Sequence, residues 1–277
     1  MKRGGCGKYA SVKAILPPVR RAPMLFKIAI PARYASTRLP GKPLLDIGGK
    51  PMLQHVYERA RQSGAEEVVV ATDDARIAAA ARGFGATVCM TSAAHNSGTD
   101  RLAEVAQTMG WATDTLVVNL QGDEPLMPPA LLRQVARDLA VHADAACATL
   151  CTPITVAHEL FDPNVVKVVM NAQGYALYFS RAPIPWHRDD FARDGLSLPA
   201  QSRHYRHLGL YAYRAGFLQK YTTLAACQLE QAEALEQLRM LWHGVRIHVA
   251  EASEIPGPGV DTEQDLARVS LLLKGLG

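Results

Sequence analysis

Over residues 25–150, short apolar runs alternate with stretches whose apolar positions recur every three or four residues. The runs at 25–30, 67–71, 86–90, 115–120 and 145–150 have strand length, and the last two are almost wholly apolar. Between them, 51–62, 74–82, 99–109 and 128–141 carry helical spacing. Gly64 ends the first of these helices, and proline sits in the first turn of the last. Strands alternating with helices of about ten to fifteen residues predict βαβ units and a mostly parallel sheet.

The second half departs from that rhythm. Segments 165–170 and 175–180 flank Asn171-Ala-Gln-Gly174, which predicts a hairpin and so an antiparallel insertion. Residues 183–204 are polar and contain prolines, the composition of a long excursion. A strand at 208–213, a helix at 231–241, a strand at 245–249 and a helix from Thr262 complete the expected elements. No repeat or low-complexity tract is present. The expected fold is α/β, one domain over 25–277, with a mostly parallel central sheet and a hairpin and loop excursion at about 160–213 of the kind that often carries function.

Composition narrows the classes. Hydrophobic residues at 48% and charged residues at 20% suit an ordinary enzyme. No apolar run reaches the roughly 18 residues that cross a bilayer. The net charge of +4 rests on six basic groups within residues 1–24, which hold no acid; without them the body carries −2. A nucleic-acid role needs a basic patch on that body, and the sequence offers none. Segment 1–24 fails as a secretory signal, because Lys13 interrupts its apolar stretch and Pro17-Pro18 follow. It is expected to be a disordered extension or to precede a start at Met24, with a transit-like peptide as the alternative. Five cysteines without a C-x-x-C pair predict buried free thiols, a reducing compartment and a cytoplasmic protein outside any membrane.

Candidate chemistry lies at strand ends, where open parallel sheets bind ligands. After the first strand, Arg33, Arg38 and Lys42 sit with Ser36 and Thr37 in a loop stiffened by Gly and Pro. Such a loop can hold a polyphosphate through guanidinium forks and backbone N–H groups, although a basic loop is more often a solvated edge. It matches neither G-x-x-x-x-G-K-[ST] nor G-x-G-x-x-G. The apolar strand at 115–120 runs into Gln121-Gly-Asp-Glu-Pro125 and delivers Asp123 to the same edge. Asp123 is either a turn residue or a ligand of Mg²⁺, which takes one or two carboxylates plus substrate phosphates. Asp261, before Thr262, is either a helix cap or the second metal acid. Ser97 and Thr99 open a helix and can cap it or read a base. In Arg206-His-Leu-Gly-Leu-Tyr211, alternation puts His207, Gly209 and Tyr211 on one face and Leu208 and Leu210 on the other.

Taken together, PARYASTRLPGKPL, SGTDRLAE, QGDEP, YALYFSR, RHLGLY, LEQLR and PGVDT resemble the CMP-Kdo synthetases, which are 3-deoxy-manno-octulosonate (Kdo) cytidylyltransferases of lipopolysaccharide assembly. The resemblance runs from about Phe26 to Val269 in consistent order, departing in segment 1–24 and in the loop at 188–204. It implies a Rossmann-like nucleotidyltransferase fold, a homodimer, Mg²⁺, CTP and Kdo as substrates, and use of the excursion at about 160–213 in dimerisation and sugar binding. Carried onto matching positions, it puts Ala32, Arg33, Ser36 and Lys42 at the CTP phosphates. Thr72, Asp73, Ser97, Thr99 and Arg101 surround the cytidine. Arg38, Gln121, Arg181, His207, Tyr211, Glu236 and Gln237 hold the sugar, with Arg181 on its carboxylate and His207 as the alternative. Asp123 and Asp261 bind metal. Arg33, Lys42, Asp123 and Asp261 form the catalytic set. The rival readings are a cytidylyltransferase for another acid sugar such as sialic acid, a CTP-sensing module without turnover, and a transferase that uses a nucleotide sugar as donor.

Overall fold

The computed structural model describes residues 24–35, 39–95, 97–193, 197–199 and 203–274. Ser36, Thr37 and Arg38 of the basic loop lie outside the described residues, as does segment 1–23. Strand β1 (Lys27–Pro31) leads to a 3-10 turn at Lys42–Leu44, a small hairpin of β2 (Asp46–Ile47) and β3 (Lys50–Pro51), and helix α1 (Met52–Gln62). Next come β4 (Glu67–Thr72), α2 (Ala75–Gly83), β5 (Thr87–Met90), α3 (Gly98–Thr108), β6 (Leu116–Asn119) and α4 (Pro129–Val141). The chain continues through β7 (Cys147–Pro153), α5 (Ala157–Phe161), β8 (Lys167–Met170), β9 (Ala176–Ser180), α6 (Asp190–Arg193) and β10 (Tyr205–Arg214). Helices α7 (Ala215–Tyr221), α8 (Gln228–Glu233) and α9 (Gln237–Trp242), strand β11 (Ile247–Glu251) and helix α10 (Glu263–Lys274) follow.

The main sheet runs β11-β7-β10-β6-β1-β4-β5, with β8 and β9 attached beside β10. Pairings β6–β1, β1–β4, β4–β5 and β7–β11 are parallel. Strand β10 alone along this path is antiparallel to its neighbours β6 and β7. The carboxyl ends of β1, β4 and β6 therefore share one edge, and the three loops that leave them converge there. Period-2 alternation divides the core between the sheet faces. Ile28, Ile30, Val118 and Leu150 pack with the apolar faces of α1, α2 and α4. Ala29, Val117 and Cys147 pack with those of α3 and α7 and with Leu235 and Leu238. Cys89, Cys147, Cys151 and Cys227 are buried free thiols, and burial pushes Cys151 up to about 12.

Two local features bear on the site. First, β10 bulges between Leu208 and Tyr211, which pair with the adjacent residues Leu150 and Thr149 of β7. Two residues are inserted, an even number, so the alternation survives. Leu208 and Leu210 stay in the core on one face, and Tyr211 joins the core on the other. Second, the helix expected at 231–241 is two helices, broken at Ala234 with φ 50°. A left-handed alanine costs about 1–2 kcal/mol. The break lets Leu235 and Leu238 both bury and brings Glu236 beside Thr99. Periodicity alone hid it, because the apolar spacing runs through the break. Helix α7 was likewise absent from the sequence expectation, being a short element that starts directly where β10 ends. Among the described residues no helix is long and apolar enough to cross a membrane.

Candidate active site

The loops after β1, after β6 and before α10 meet at Lys42. Its Nζ lies 2.7 Å from Asp123 Oδ2 and 3.1 Å from Asp261 Oδ1, and donates to the carbonyl of Val260 at 2.7 Å. The N–H of Val260 donates to the carbonyl of Asp123 at 2.9 Å, so backbone as well as charge holds the two acids together. The β6 loop comes so close to β1 that a Cβ on Gly122 would stand 2.9 Å from the Pro31 carbonyl, which explains a glycine there. Burial opposes the Lys42 charge, but Asp123 and then Asp261 outweigh it and hold its pKa above the ordinary lysine value. Burial pushes Glu124 up to about 7, helped by the charges of Asp123 and Asp261.

Ala32, Arg33, Lys42, Asp123 and Asp261 line one cavity of about 440 Å³, whose wall Gly98 and Gln121 complete. Arg33 is anchored there by donating to the carbonyl of His95. Two hard carboxylates aimed at one cation are the donor set that suits Mg²⁺, with its remaining positions left for phosphate oxygens and water. Among the described residues no group of three His, Cys, Asp or Glu side chains could hold a metal.

A second cavity, about 420 Å³, shares Gly98 and Gln121 with the first. His207, Tyr211, Glu236, Gln237 and Thr99 all line it. Burial pushes the Glu236 carboxyl up, and the Thr99 hydroxyl donates to it at 3.2 Å. Burial also pushes His207 down to about 3, so its imidazole is neutral at physiological pH and supplies no charge to a carboxylate. Two buried polar atoms of the lining, Asn119 Oδ1 and Tyr221 OH, have no hydrogen-bond partner among the described residues. Unpaired buried polar atoms are costly, on the order of 1–3 kcal/mol each, and a wall holding two suits a polar guest.

The other expected residues stand apart from these walls. Thr72 is buried, and its hydroxyl accepts from the N–H of Asp74 at 3.2 Å. Ser97 caps α3, accepting from the N–H of Asp100 at 3.0 Å. Arg101 is wholly buried; it pairs with Asp73 at 3.0 Å and donates to the Thr91 hydroxyl. It therefore braces Asp73. Arg181 spans two carbonyls, donating from Nε to Glu233 at 2.7 Å and from Nη1 to Pro163 at 2.9 Å. It does not line the second cavity, though Asn164, next to Pro163, does.

The family model for cytidylyltransferases matches residues 28–247. A 3-deoxy-manno-octulosonate cytidylyltransferase from Nitrosococcus oceani is 61% identical over 251 residues, covering 90% of this chain and 97% of its own length. The chain belongs to the 3-deoxy-manno-octulosonate cytidylyltransferase family. Another member, from Thioalkalivibrio sulfidiphilus, is also 61% identical and is covered along 100% of its length by 91% of this chain. The solved structure of a CMP:2-keto-3-deoxy-manno-octonic acid synthetase complexed with CTP superposes with a TM-score of 0.83 at 46% identity, over 91% of this chain and 99% of that one. The α/β fold with its mostly parallel sheet is thus the fold of this family.

Sequence reasoning passed over Asn119, Tyr221 and Thr149. Asn119 carried a signal, since it is the polar residue that ends an otherwise apolar strand. Tyr221 carried none, because it lies on the unexpected helix α7. Thr149 is one small hydroxyl inside an apolar strand, a position that a β-branched residue fills for packing alone.

Proposed function

We infer that this cytidylyltransferase transfers CMP from CTP to the anomeric hydroxyl of Kdo, giving CMP-Kdo and pyrophosphate for lipopolysaccharide assembly. One observation carries the reading. A cavity lined by Arg33, Lys42 and two carboxylates shares Gln121 and Gly98 with a second cavity, whose mostly polar wall includes atoms without a hydrogen-bond partner among the described residues. The first suits a nucleoside triphosphate and the second a polyhydroxylated sugar, so their shared wall is where the two substrates meet.

Reactions of this type depend on positioning and charge neutralisation. Arg33 and Lys42 hold the phosphates and stabilise the departing pyrophosphate. Mg²⁺, when bound by Asp123 and Asp261, supplies Lewis acidity at the α-phosphoryl group and lowers the pKa of the attacking hydroxyl. Gln121, Tyr211, Glu236 and Gln237 orient the sugar for in-line attack. Arg181, held beside the cavity by the carbonyls of Glu233 and Pro163, is assigned to the sugar carboxylate by the resemblance and would have to swing from that anchorage to reach it. Thr72, Asp73, Ser97 and Thr99 frame the cytidine from the β4 end and the α3 start, with Arg101 behind Asp73. Ser36 and Arg38 belong to the basic loop and serve the phosphates and the sugar. The excursion at about 160–213 serves dimerisation and sugar binding. Leu177, 60% exposed on β9, supports this as an apolar side chain left uncovered, as does the pairing of β9 with β8 alone among the described residues. The four buried free thiols support a reducing, cytoplasmic setting.

The test is pyrophosphate release with CTP, Kdo and Mg²⁺, alongside ATP, UTP and sialic acid. Release only with CTP and Kdo, abolished by a chelator, is the expected result. Release with sialic acid, or CTP binding without turnover, overturns it. Within the same assay, Lys42→Met is expected to weaken CTP binding about tenfold, because a charge-assisted contact to phosphate is lost. Unchanged nucleotide affinity in a titration would take Lys42 out of the phosphate site.

A further inference from the structure

Thr149 lies in β7 with no solvent exposure. Its Oγ1 is 2.8 Å from the carbonyl oxygen of Leu210, 3.0 Å from that of Leu208 and 3.0 Å from His207 Nε2. Both carbonyls belong to the stretch of β10 where the bulge inserts two residues opposite Thr149. A hydroxyl has one hydrogen, and carbonyl oxygens only accept. The Thr149 hydrogen therefore goes to the carbonyls, and a lone pair faces His207. A neutral imidazole carries one N–H, and a lone pair opposite Nε2 draws it to that nitrogen.

The surroundings hold the ring to this arrangement. Phe179 packs edge-on against His207 with centroids 4.8 Å apart, and Tyr211 lies 5.4 Å away on the same cavity wall. The N–H of His207 itself donates to the carbonyl of Val166 at 2.8 Å, which pins the backbone beneath the ring. Burial keeps the imidazole uncharged. No hydrogen bond to a protein group is described for Nδ1, so it is the nitrogen left for a ligand.

We propose that Thr149 is a positioning residue that keeps the His207 proton on Nε2, so that Nδ1 presents only a lone pair and the cavity reads a substrate hydroxyl there. A carboxylate at that atom would meet lone pair with lone pair, which separates the role of His207 from the charge recognition given to Arg181. The substrate half of this proposal rests on the sugar reading of the cavity; the tautomer half does not.

The experiment is two-bond nitrogen–proton correlation NMR of the ligand-free protein, with the His207 signals identified by their loss in His207→Gln. The expected wild-type pattern is a neutral ring protonated on Nε2 alone. In Thr149→Val, which keeps the side-chain shape and removes the hydroxyl, the pattern moves towards the Nδ1 tautomer, and Thr149→Ser restores it. The valine variant is also expected to raise KM for Kdo about tenfold with KM for CTP unmoved, the loss of one buried hydrogen bond. A wild-type ring that is charged or protonated on Nδ1 overturns the proposal, as does an unchanged Nε2 pattern in Thr149→Val. The expected spectra with an unaltered KM for Kdo overturn the hydroxyl readout, while absence of turnover with Kdo in the wild type overturns the substrate assignment itself.

Discussion

Asp123→Asn is expected to lower kcat by about a thousandfold while leaving the protein folded. Asparagine keeps the shape of the side chain and an oxygen that can accept from Lys42, so the junction of the three loops survives the change. What disappears is one of two negative charges aimed at a single cation position. Neutralising charge at a phosphoryl centre supplies several kcal/mol to such reactions, and about 4 kcal/mol corresponds to a thousandfold in rate. Asp261→Asn is expected to act in the same direction. Pyrophosphate release at saturating substrates measures the loss, and thermal denaturation checks that the variant is native. Near wild-type turnover in Asp123→Asn would falsify the metal assignment.

Arg101→Met is expected to destabilise the fold by about 3 kcal/mol, because removing one partner of a buried ion pair leaves the other charge unpaired. Asp73 retains some exposure, 19% of its side chain, which places the expectation at the low end of the range for such pairs. The Thr91 hydroxyl, buried beside them, also loses its donor. For a chain of this size the shift is roughly 8 °C in melting temperature. The resemblance put Arg101 against the cytidine, which predicts the opposite pattern of weaker CTP binding at an unchanged melting temperature. A melt paired with a nucleotide titration separates the two. A stable Arg101→Met with lost affinity returns the guanidinium to the ligand.

Much of the architecture was legible because it is written in local periodicity. Apolar runs of strand length between helical patterns marked the βαβ order, and the Asn171–Gly174 turn marked the antiparallel pair of β8 and β9. The same logic failed where a local pattern stays continuous while the backbone does not. The apolar spacing of 231–241 crosses Ala234 without interruption, so only packing reveals the left-handed residue that swings Glu236 into the cavity.

Motif order brought Arg33, Lys42 and Asp123 to one sheet edge, because the parallel strands β1 and β6 deliver their carboxyl ends there. His207 and Tyr211 arrive instead on antiparallel β10, and Glu236 at the helix break, beside the adjoining cavity. Charge state is a different matter. Lys42 meets Asp123 and Asp261 across 81 and 219 residues of chain, and that meeting keeps its ammonium charged despite burial. From sequence His207 is a strand histidine and the alternative partner for the sugar carboxylate, yet its burial against Phe179 and Tyr211 makes it neutral and Thr149 orients its proton. The amino-acid sequence by itself determined the alternation of strands and helices through β7 and which chemical groups leave the ends of β1 and β6, since both depend on short-range spacing. The tertiary structure alone decided which of those groups face a ligand, which brace the wall and which carry charge, since desolvation and pairing come from segments far apart in the chain.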